Sequence, residues 1–409
     1  MRVLLLAVVA LSACGPLMPL RMDGGTAGGS AGGGFVFGGG FVSGGGFTTA
    51  GGNAAGGSGA GSTAGGAATA GGSAGGSVIA GGSAGGSVDA GLGNFVWSNL
   101  GVMPVPSSTS TYAVAVASRP GEAWLGLDNG KLYRSTGGAF NELVGFLLSG
   151  INDLYVSPSG KVFVVTQGRS AAHCLAADCS MAANFTTVML MSGGTENLKL
   201  VCGSGERVMA LGTRDTNGIG TLYEFDPLLG QWTKVSNNLG ISTPRGCVIG
   251  PGGEVYVVGE LGVVRYENGA TTPEPVDLMG QPTATWMGIA MWTSGGSITE
   301  AMLVGSGNGY RFARRNNTAQ TWTSLMPNVL AGSTMYAVIA LGPSEFLGAG
   351  SGAAANKFMT WNGTTWVPAM PAPPNTVSTV RDACVTDARE VFLVGLDGSS
   401  SYSIIRGRR

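Results

Sequence analysis

Asp153, Lys199 and Asp382 each stand nine residues before the valine that opens an apolar burst: Val162, Val208 and Val391. If a repeat brings them to one place, they line the mouth of a central channel. Paired carboxylates there can hold a cation or a sugar hydroxyl, or share the acid and base roles of glycoside cleavage. The alternative is a solvated rim with no ligand. His173 is the only histidine, which excludes His-dependent triads and multi-histidine metal sites. His173-Cys174 with Asp178-Cys179 offers three or four zinc ligands close together. Asp215-Thr216-Asn217-Gly218 looks like the start of a calcium loop, but it lacks the later oxygen ligands and the closing Glu, so a solvent turn is expected. Arg311, Arg314 and Arg315 could clamp an acid; grouped in one hairpin, they are read as a solvated turn.

The elements that position these residues come from one recurring phrase. An apolar burst, a turn of Gly, Pro or Asp, a second apolar burst and an aromatic-punctuated hairpin follow one another seven times. The second bursts begin at Ala123, Val162, Val208, Val255, Ala301, Phe346 and Val391. The residues that close them, Leu127, Thr166, Gly212, Gly259, Gly305, Gly350 and Gly395, are spaced by 39, 46, 47, 46, 45 and 45 positions. That is the period of four-stranded propeller blades. Continuous rather than alternating apolarity fits strands buried on both faces between stacked sheets. Ser118-Arg119-Pro120-Gly121, Ser157-Pro158-Ser159-Gly160 and Gly250-Pro251-Gly252-Gly253 supply turn chemistry between first and second strands.

The last repeat has one plausible strand after Val394, Tyr402 to Arg406, and so lacks an outer strand. Asn94-Phe95-Val96-Trp97 resembles the outer strands at Gln231-Val235, Gln320-Thr323 and Thr365-Val367, and is expected to fill the gap. Pairing the first strand into the last blade removes two edges at once. The expected fold class is therefore all-β: a seven-bladed β-propeller over residues 94–409, closed by an N-terminal strand and preceded by a disordered Gly/Ser/Ala-rich linker. Arg406, Arg408 and Arg409 are read as a frayed basic tail.

The amino terminus reads as an address. Arg2, the apolar stretch Val3 to Leu11 and Leu11-Ser12-Ala13-Cys14 resemble a bacterial lipoprotein signal and lipobox. The resemblance implies cleavage of residues 1–13, acylation of Cys14 and a lipid anchor in the cell envelope, with Gly15 favouring the outer membrane. Residues 14–93 form the tether. From Gly24 to Gly93 there is one charge, Asp89, and no proline. Glycine and serine leave backbone entropy large and burial small, giving the 79 residues Gly15 to Gly93 an r.m.s. reach of roughly 45–55 Å.

In an exported chain paired thiols oxidise, so a Cys174–Cys179 disulfide is favoured over zinc. Cys202, Cys247 and Cys384 fall in or near first strands of three blades, as small buried thiols. Without Cys14 five cysteines remain, so at least one stays unpaired within the chain. With 22 Lys plus Arg against 23 Asp plus Glu, no net field recruits nucleic acid.

Tyr223-Glu224-Phe225-Asp226, Trp232 and Pro244-Arg245 resemble the kelch repeat phrase, echoed at Tyr310-Arg311-Phe312 with Trp322 and at Met359-Thr360-Trp361-Asn362-Gly363 with Trp366. The glycine pair usual after the second kelch strand is absent. Asp226-Pro227-Leu228-Leu229-Gly230-Gln231-Trp232 resembles an Asp-box turn of sialidase-like propellers. These likenesses imply blade geometry and carry no catalytic residue. The expected function is non-catalytic binding of a protein or polysaccharide by a membrane-anchored propeller, without cofactor or metal. A glycan-acting enzyme using Asp153 and Asp382, and a structural factor in envelope assembly, are the alternatives.

Overall fold

The structure, a computed structural model, describes residues 79–81, 95–104, 114–190, 197–214, 218–260, 262–278, 284–306, 311–325, 334–352, 357–374, 376–387, 390–397 and 401–409. All lie within Gly66–Arg409, one of the two units into which the chain divides. The leader 1–13, Cys14, the tether apart from 79–81, and Asp215, Thr216 and Asn217 lie outside the described residues.

Among the described residues the strand pairings make seven blades of four antiparallel strands, with Val276–Asp277 added in parallel to the outer strand of blade 5. Blade 1 holds Val114–Arg119, Glu122–Leu127, Leu132–Ser135 and Asn141–Glu142; blade 2 holds Ile151–Val156, Val162–Thr166, Ser170–Cys174 and Phe185–Met189. Blade 3 is Asn197–Ser204, Arg207–Thr213, Gly220–Asp226 and Gln231–Ser236; blade 4 is Ser242–Ile249, Val255–Glu260, Gly262–Glu267 and Ala270–Glu274. Blade 5 runs through Thr285–Ser294, Ser297–Ser306, Arg311–Asn316 and Thr321–Leu325, and blade 6 through Thr334–Gly342, Glu345–Ser351, Phe358–Trp361 and Trp366–Pro368. Blade 7 combines Thr379–Asp387, Glu390–Leu396 and Ser401–Arg408 with Val96–Pro104 from the start of the domain.

The second apolar burst of every repeat falls on the second strand of its blade, and these strands are buried from end to end in blades 1 and 2. The hairpin turns before them place Gly121, Gly160 and Gly253 at φ of 78°, 89° and 88°, a backbone conformation that glycine adopts without strain. Between third and fourth strands, Asp226 Oδ1 accepts the N–H groups of Leu228 and Leu229. Asn316 does the same for Thr318 and Ala319, and Asn362 for Thr364 and Thr365. The Asp-box-like turn is thus one of three equivalent side-chain-stabilised turns.

The ring closes through blade 7. Val96–Pro104 pairs with Ser401–Arg408 from Val96↔Arg408 to Pro104↔Ser401. Trp97 Nε1 donates to the Pro371 carbonyl at 3.0 Å, and its ring lies on Gly407, where an added Cβ would fall 2.5 Å from it. Blade 7 then meets blade 1: Asp382 Oδ2 accepts the Val116 N–H at 2.7 Å, Thr386 Oγ1 bonds Ser118 Oγ at 2.9 Å, and Ser118 Oγ meets Cys384 Sγ at 3.1 Å. One apolar cluster accordingly joins Leu125 of blade 1, Ile339 of blade 6 and Leu393 of blade 7.

The arginines correct the sequence reading. Arg406 and Arg408 both pair with Glu390, and Arg409 pairs with Glu345 while its guanidinium lies 4.0 Å over the Phe95 ring. The terminus is therefore an ordered strand inside blade 7 rather than a frayed tail. Arg315 is buried and forks onto Glu274 of blade 4 at 2.7 and 3.0 Å, and Arg314 bonds Glu300 at 2.8 Å. Neither lies in a turn: both stand on the third strand of blade 5, where Arg315 reaches a carboxylate of blade 4 and the exposed Arg314 reaches one on the adjacent strand of its own blade.

Cys174–Cys179 and Cys202–Cys247 are disulfide-bonded, with Cα atoms 5.9 and 6.0 Å apart. The second bond staples the inner strands of blades 3 and 4, where packed thiols alone were expected. Cys384 is the free cysteine among the described residues, and burial pushes its thiol far above the ordinary range. Peptide mapping without reductant is expected to recover Cys202 linked to Cys247, with Cys384 alkylated only after unfolding. Changing both Cys202 and Cys247 to Ser is expected to lower stability by about 2–4 kcal/mol. Free thiols at both positions in the folded oxidised protein would remove the staple.

Ile79–Gly81 pairs in parallel with Met291–Thr293 of the blade 5 inner strand and touches the inner strands of blades 3 and 6. Three residues of the expected coil therefore run as an extended strand inside the ring.

Candidate functional site

Six inner strands share one irregularity. The pairing slips by one residue between Ile151 and Asp153, Leu198 and Leu200, Pro244 and Gly246, Trp286 and Gly288, Met335 and Ala337, and Val380 and Asp382. The extra residues are Asn152, Lys199, Arg245, Met287, Tyr336 and Arg381. A bulge leaves its extra residue outside the ladder and re-aims its side chain. Because all six bulges fall at the same register, they form one level around the axis.

Opposite the start of each bulge stands the residue that closes the second burst: Thr166, Gly212, Gly259, Gly305, Gly350 and Gly395. At Gly305 an added Cβ would run into the Thr285 carbonyl and lie 3.0 Å from the Trp286 Cα. The repeat glycine is the space that the bulged backbone occupies. Blade 1 has Leu127 instead, and its inner strand pairs without a slip from Val114 to Arg119.

Asp153 and Asp382 lie one residue past their bulges and are buried, at 2% and 4% exposure. Asp153 accepts the N–H of Leu154 at 2.9 Å and, across the joint, that of Val201 in blade 3 at 2.9 Å. Asp382 accepts those of Ala383 at 2.8 Å and Val116 in blade 1 at 2.7 Å. Each carboxylate thus clamps its own blade to the next, a role that competes with acid–base chemistry on a substrate. Lys199 is not their counterpart. The first hairpin of blade 3 is one residue shorter, pairing Gly203 with Val208 where blade 2 pairs Val156 with Val162, so the nine-residue count lands on the bulge. The true equivalents of Lys199 are Asn152, Arg245 and Arg381, and Leu200 takes the aspartate position.

Burial holds the Asp153 carboxyl well above the usual carboxylate range, and the Asp382 charge adds to this against the two N–H bonds. A raised folded-state value means that stability is fully present below the unfolded value near pH 4 and is lost as pH rises through the folded one. The folded chain is therefore expected to lose stability relative to Asp153→Asn as pH rises from about 4 to 8. Urea titrations of both proteins across that range check it, and parallel profiles would contradict it.

Around the mouth, Asn152 Nδ2 donates to the Leu198 carbonyl at 2.7 Å, and the Arg381 guanidinium lies 5.0 Å over the Tyr336 ring. Lys199 is half-buried, and burial together with the nearby Arg245 lowers its pKa. Arg245 reaches Glu260 at 3.5 Å, both side chains 42% exposed. Among the described residues Lys199 and Arg381 have no ion-pair partner, and Arg381 Nε is buried without a hydrogen bond. Glu260 also belongs to the wall of an apolar cavity of about 590 Å³, whose lining includes Ile219, Ile241, Val263, Val276, Leu278 and Trp286.

Sequence reasoning missed Arg245 and Arg381 as members of this level. Their signal was the glycine opposite: each stands fourteen residues before Gly259 or Gly395. His173 is no ligand candidate. It is buried between Phe163 and Phe225, its ring centroid 4.9 Å from that of Phe225, and burial lowers its pKa, so it is neutral core. Among the described residues no group of three or more His, Cys, Asp or Glu side chains is placed to hold a metal ion.

No family model and no curated protein matches the chain. Solved structures do. The chain is similar to YCF48 bound to D1 peptide, at 15% identity over 78% of this chain and 96% of that one, with a TM-score of 0.55. YCF48 from Cyanidioschyzon merolae follows at 13% identity, 76% and 98% coverage and 0.55. The WD40 β-propeller domain of Doa1 aligns at 9% identity, 76% and 97% coverage and 0.54. The fold is a β-propeller. At these identities the likeness carries the fold alone.

Proposed function

We propose that this propeller is a lipid-anchored protein of the bacterial cell envelope that holds its ring on a long tether and binds a protein partner at one axial face, without turnover. The address rests on Leu11-Ser12-Ala13-Cys14, which resembles a lipobox, with Cys14 the acylated residue and the outer membrane the favoured site. The observation that carries the binding reading is the axial mouth: cations at equivalent bulges beside an apolar cavity, on a rigid scaffold. A protein is favoured over a polysaccharide because the similar YCF48 ring is one bound to a peptide. The clamped state of Asp153 and Asp382 ranks a glycan-acting enzyme below binding.

Crosslinking on intact cells tests the reading. A photoreactive residue in place of Met287, at the mouth, is expected to capture one polypeptide, and labelling with a palmitate analogue is expected to vanish in Cys14→Ser. Persistent labelling removes the anchor. Capture of glycan alone, or a glycan hydrolase activity lost in Asp153→Asn, removes the protein-binding reading.

A further inference from the structure

We propose that the six-bulge level is an anion-recognition site for an extended acidic peptide segment, with Lys199, Arg245 and Arg381 taking its carboxylates and the adjacent cavity taking a neighbouring apolar side chain. This rests on the protein-binding reading and names the chemistry of the partner. Three of the six bulge residues are cationic. A bulge removes its residue from the sheet ladder, so nothing in the fold requires a charge there, and Met287 at the same position in blade 5 shows that an uncharged side chain serves equally.

The described residues leave these cations largely without neutralising carboxylates. Lys199 and Arg381 have no ion-pair partner among the described residues, and the two nearby aspartates are engaged by backbone N–H groups of adjoining blades. Arg245 has only the long, half-exposed pair with Glu260, an interaction of small worth that a ligand carboxylate can replace. Tyr336 supports the Arg381 guanidinium from one face and so fixes its fork for a planar anion.

Two observations select a peptide among anions. Glu260 is shared by Arg245 and by the wall of the 590 Å³ apolar cavity, so charge recognition and apolar recognition meet at one residue. Past its bulge, the inner strand of blade 5 pairs Met291–Thr293 with Ile79–Gly81, an instance within this chain of an inner strand taking up extended backbone. An inorganic anion would use neither feature.

The test is fluorescence anisotropy with the full chain and a labelled six-residue peptide of alternating Leu and Glu. Binding is expected to weaken about tenfold in Lys199→Gln and again in Arg381→Gln, the loss of one charge-assisted hydrogen bond in each. A Leu–Gln peptide and inorganic phosphate are expected to compete poorly. Among the described residues the Lys199 side chain has no hydrogen-bond partner, so its variant should melt with the parent and keeps the test valid if Arg381→Gln fails to fold. Equal binding of Glu and Gln peptides, unchanged affinity in Lys199→Gln, or full competition by phosphate would overturn the site. If cell crosslinking captures a polypeptide while these peptide results fail, the protein-binding reading survives and this inference alone falls.

Discussion

Removing residues 95–104 is expected to abolish the single cooperative unfolding transition of the ring. The deletion takes the outer strand from blade 7 and exposes the whole edge of Ser401–Arg408. It also withdraws Phe95, which is 8% exposed beneath Arg409, and the Trp97 ring that covers Gly407. Truncating a buried Phe or Trp to Ala costs about 3–5 kcal/mol. Losing both, with a full ladder of backbone bonds, approaches the roughly 5–15 kcal/mol that stabilises a typical domain. Circular dichroism melts should show a broad, early transition, with light scattering from the bared edge. A synthetic peptide of residues 94–104 added in trans should restore part of the transition. A sharp melt within a few degrees of the parent would mean that the strand decorates a ring closed by other contacts.

Glu274→Ala is expected to be the most damaging single substitution away from that seam, at about 3–5 kcal/mol. Glu274 lies on the outer strand of blade 4 and accepts three bonds from blade 5: two from the Arg315 fork, and one from Trp322 Nε1 at 2.8 Å. All three side chains are buried, and Arg315 lies 5.2 Å over the Tyr256 ring. Alanine takes the acceptor from the indole N–H and leaves the buried guanidinium only Asn317 Oδ1 at 3.0 Å, while the cost of burying Arg315 remains. A Glu274→Met, Arg315→Met double variant should recover most of the loss, since exchanging a whole buried pair for apolar volume is often neutral. Chemical denaturation of the three proteins decides it. A Glu274→Ala loss below about 1 kcal/mol would show that water or another group relieves Arg315.

The architecture was legible because burial on both faces leaves a direct trace in sequence. Second strands packed between blades must be continuously apolar, and the bursts at Ala123 through Val391 are those strands. The missing outer strand of blade 7 was legible for a related reason: a repeat that ends one strand short must borrow one. What failed to show was anything set by a one-residue offset. Counting nine residues back from Val208 gives Lys199, yet the shorter hairpin of blade 3 moves the aspartate position to Leu200. The lone glycines were visible as punctuation. Their meaning, room for a bulge, needs the facing backbone.

Contacts between blades were the second blind spot. Glu274 and Arg315 are 41 residues apart, and Cys202 and Cys247 are 45 apart, in each case about one blade. A separation near the repeat length places residues on adjoining blades, and that spacing alone could have suggested the staple. It could not have shown which arginine of Arg311, Arg314 and Arg315 turns inward, because burial of a charge depends on the partner facing it. Trp361 gives a parallel case: its Nε1 donates at 3.1 Å to Glu300, one blade back.

The most direct measurement of ring closure is disulfide trapping between the first and last strands. Val96 and Arg408 face each other as Cα partners and both are exposed, so Val96→Cys with Arg408→Cys should bridge without disturbing the core. Under mild oxidation the monomer is expected to yield a crosslinked peptide joining residues 96 and 408 and to resist unfolding better than its reduced form. If both thiols instead stay free in a folded monomer, or link only between molecules, the two ends of the chain do not share a blade and the closed seven-bladed ring is wrong.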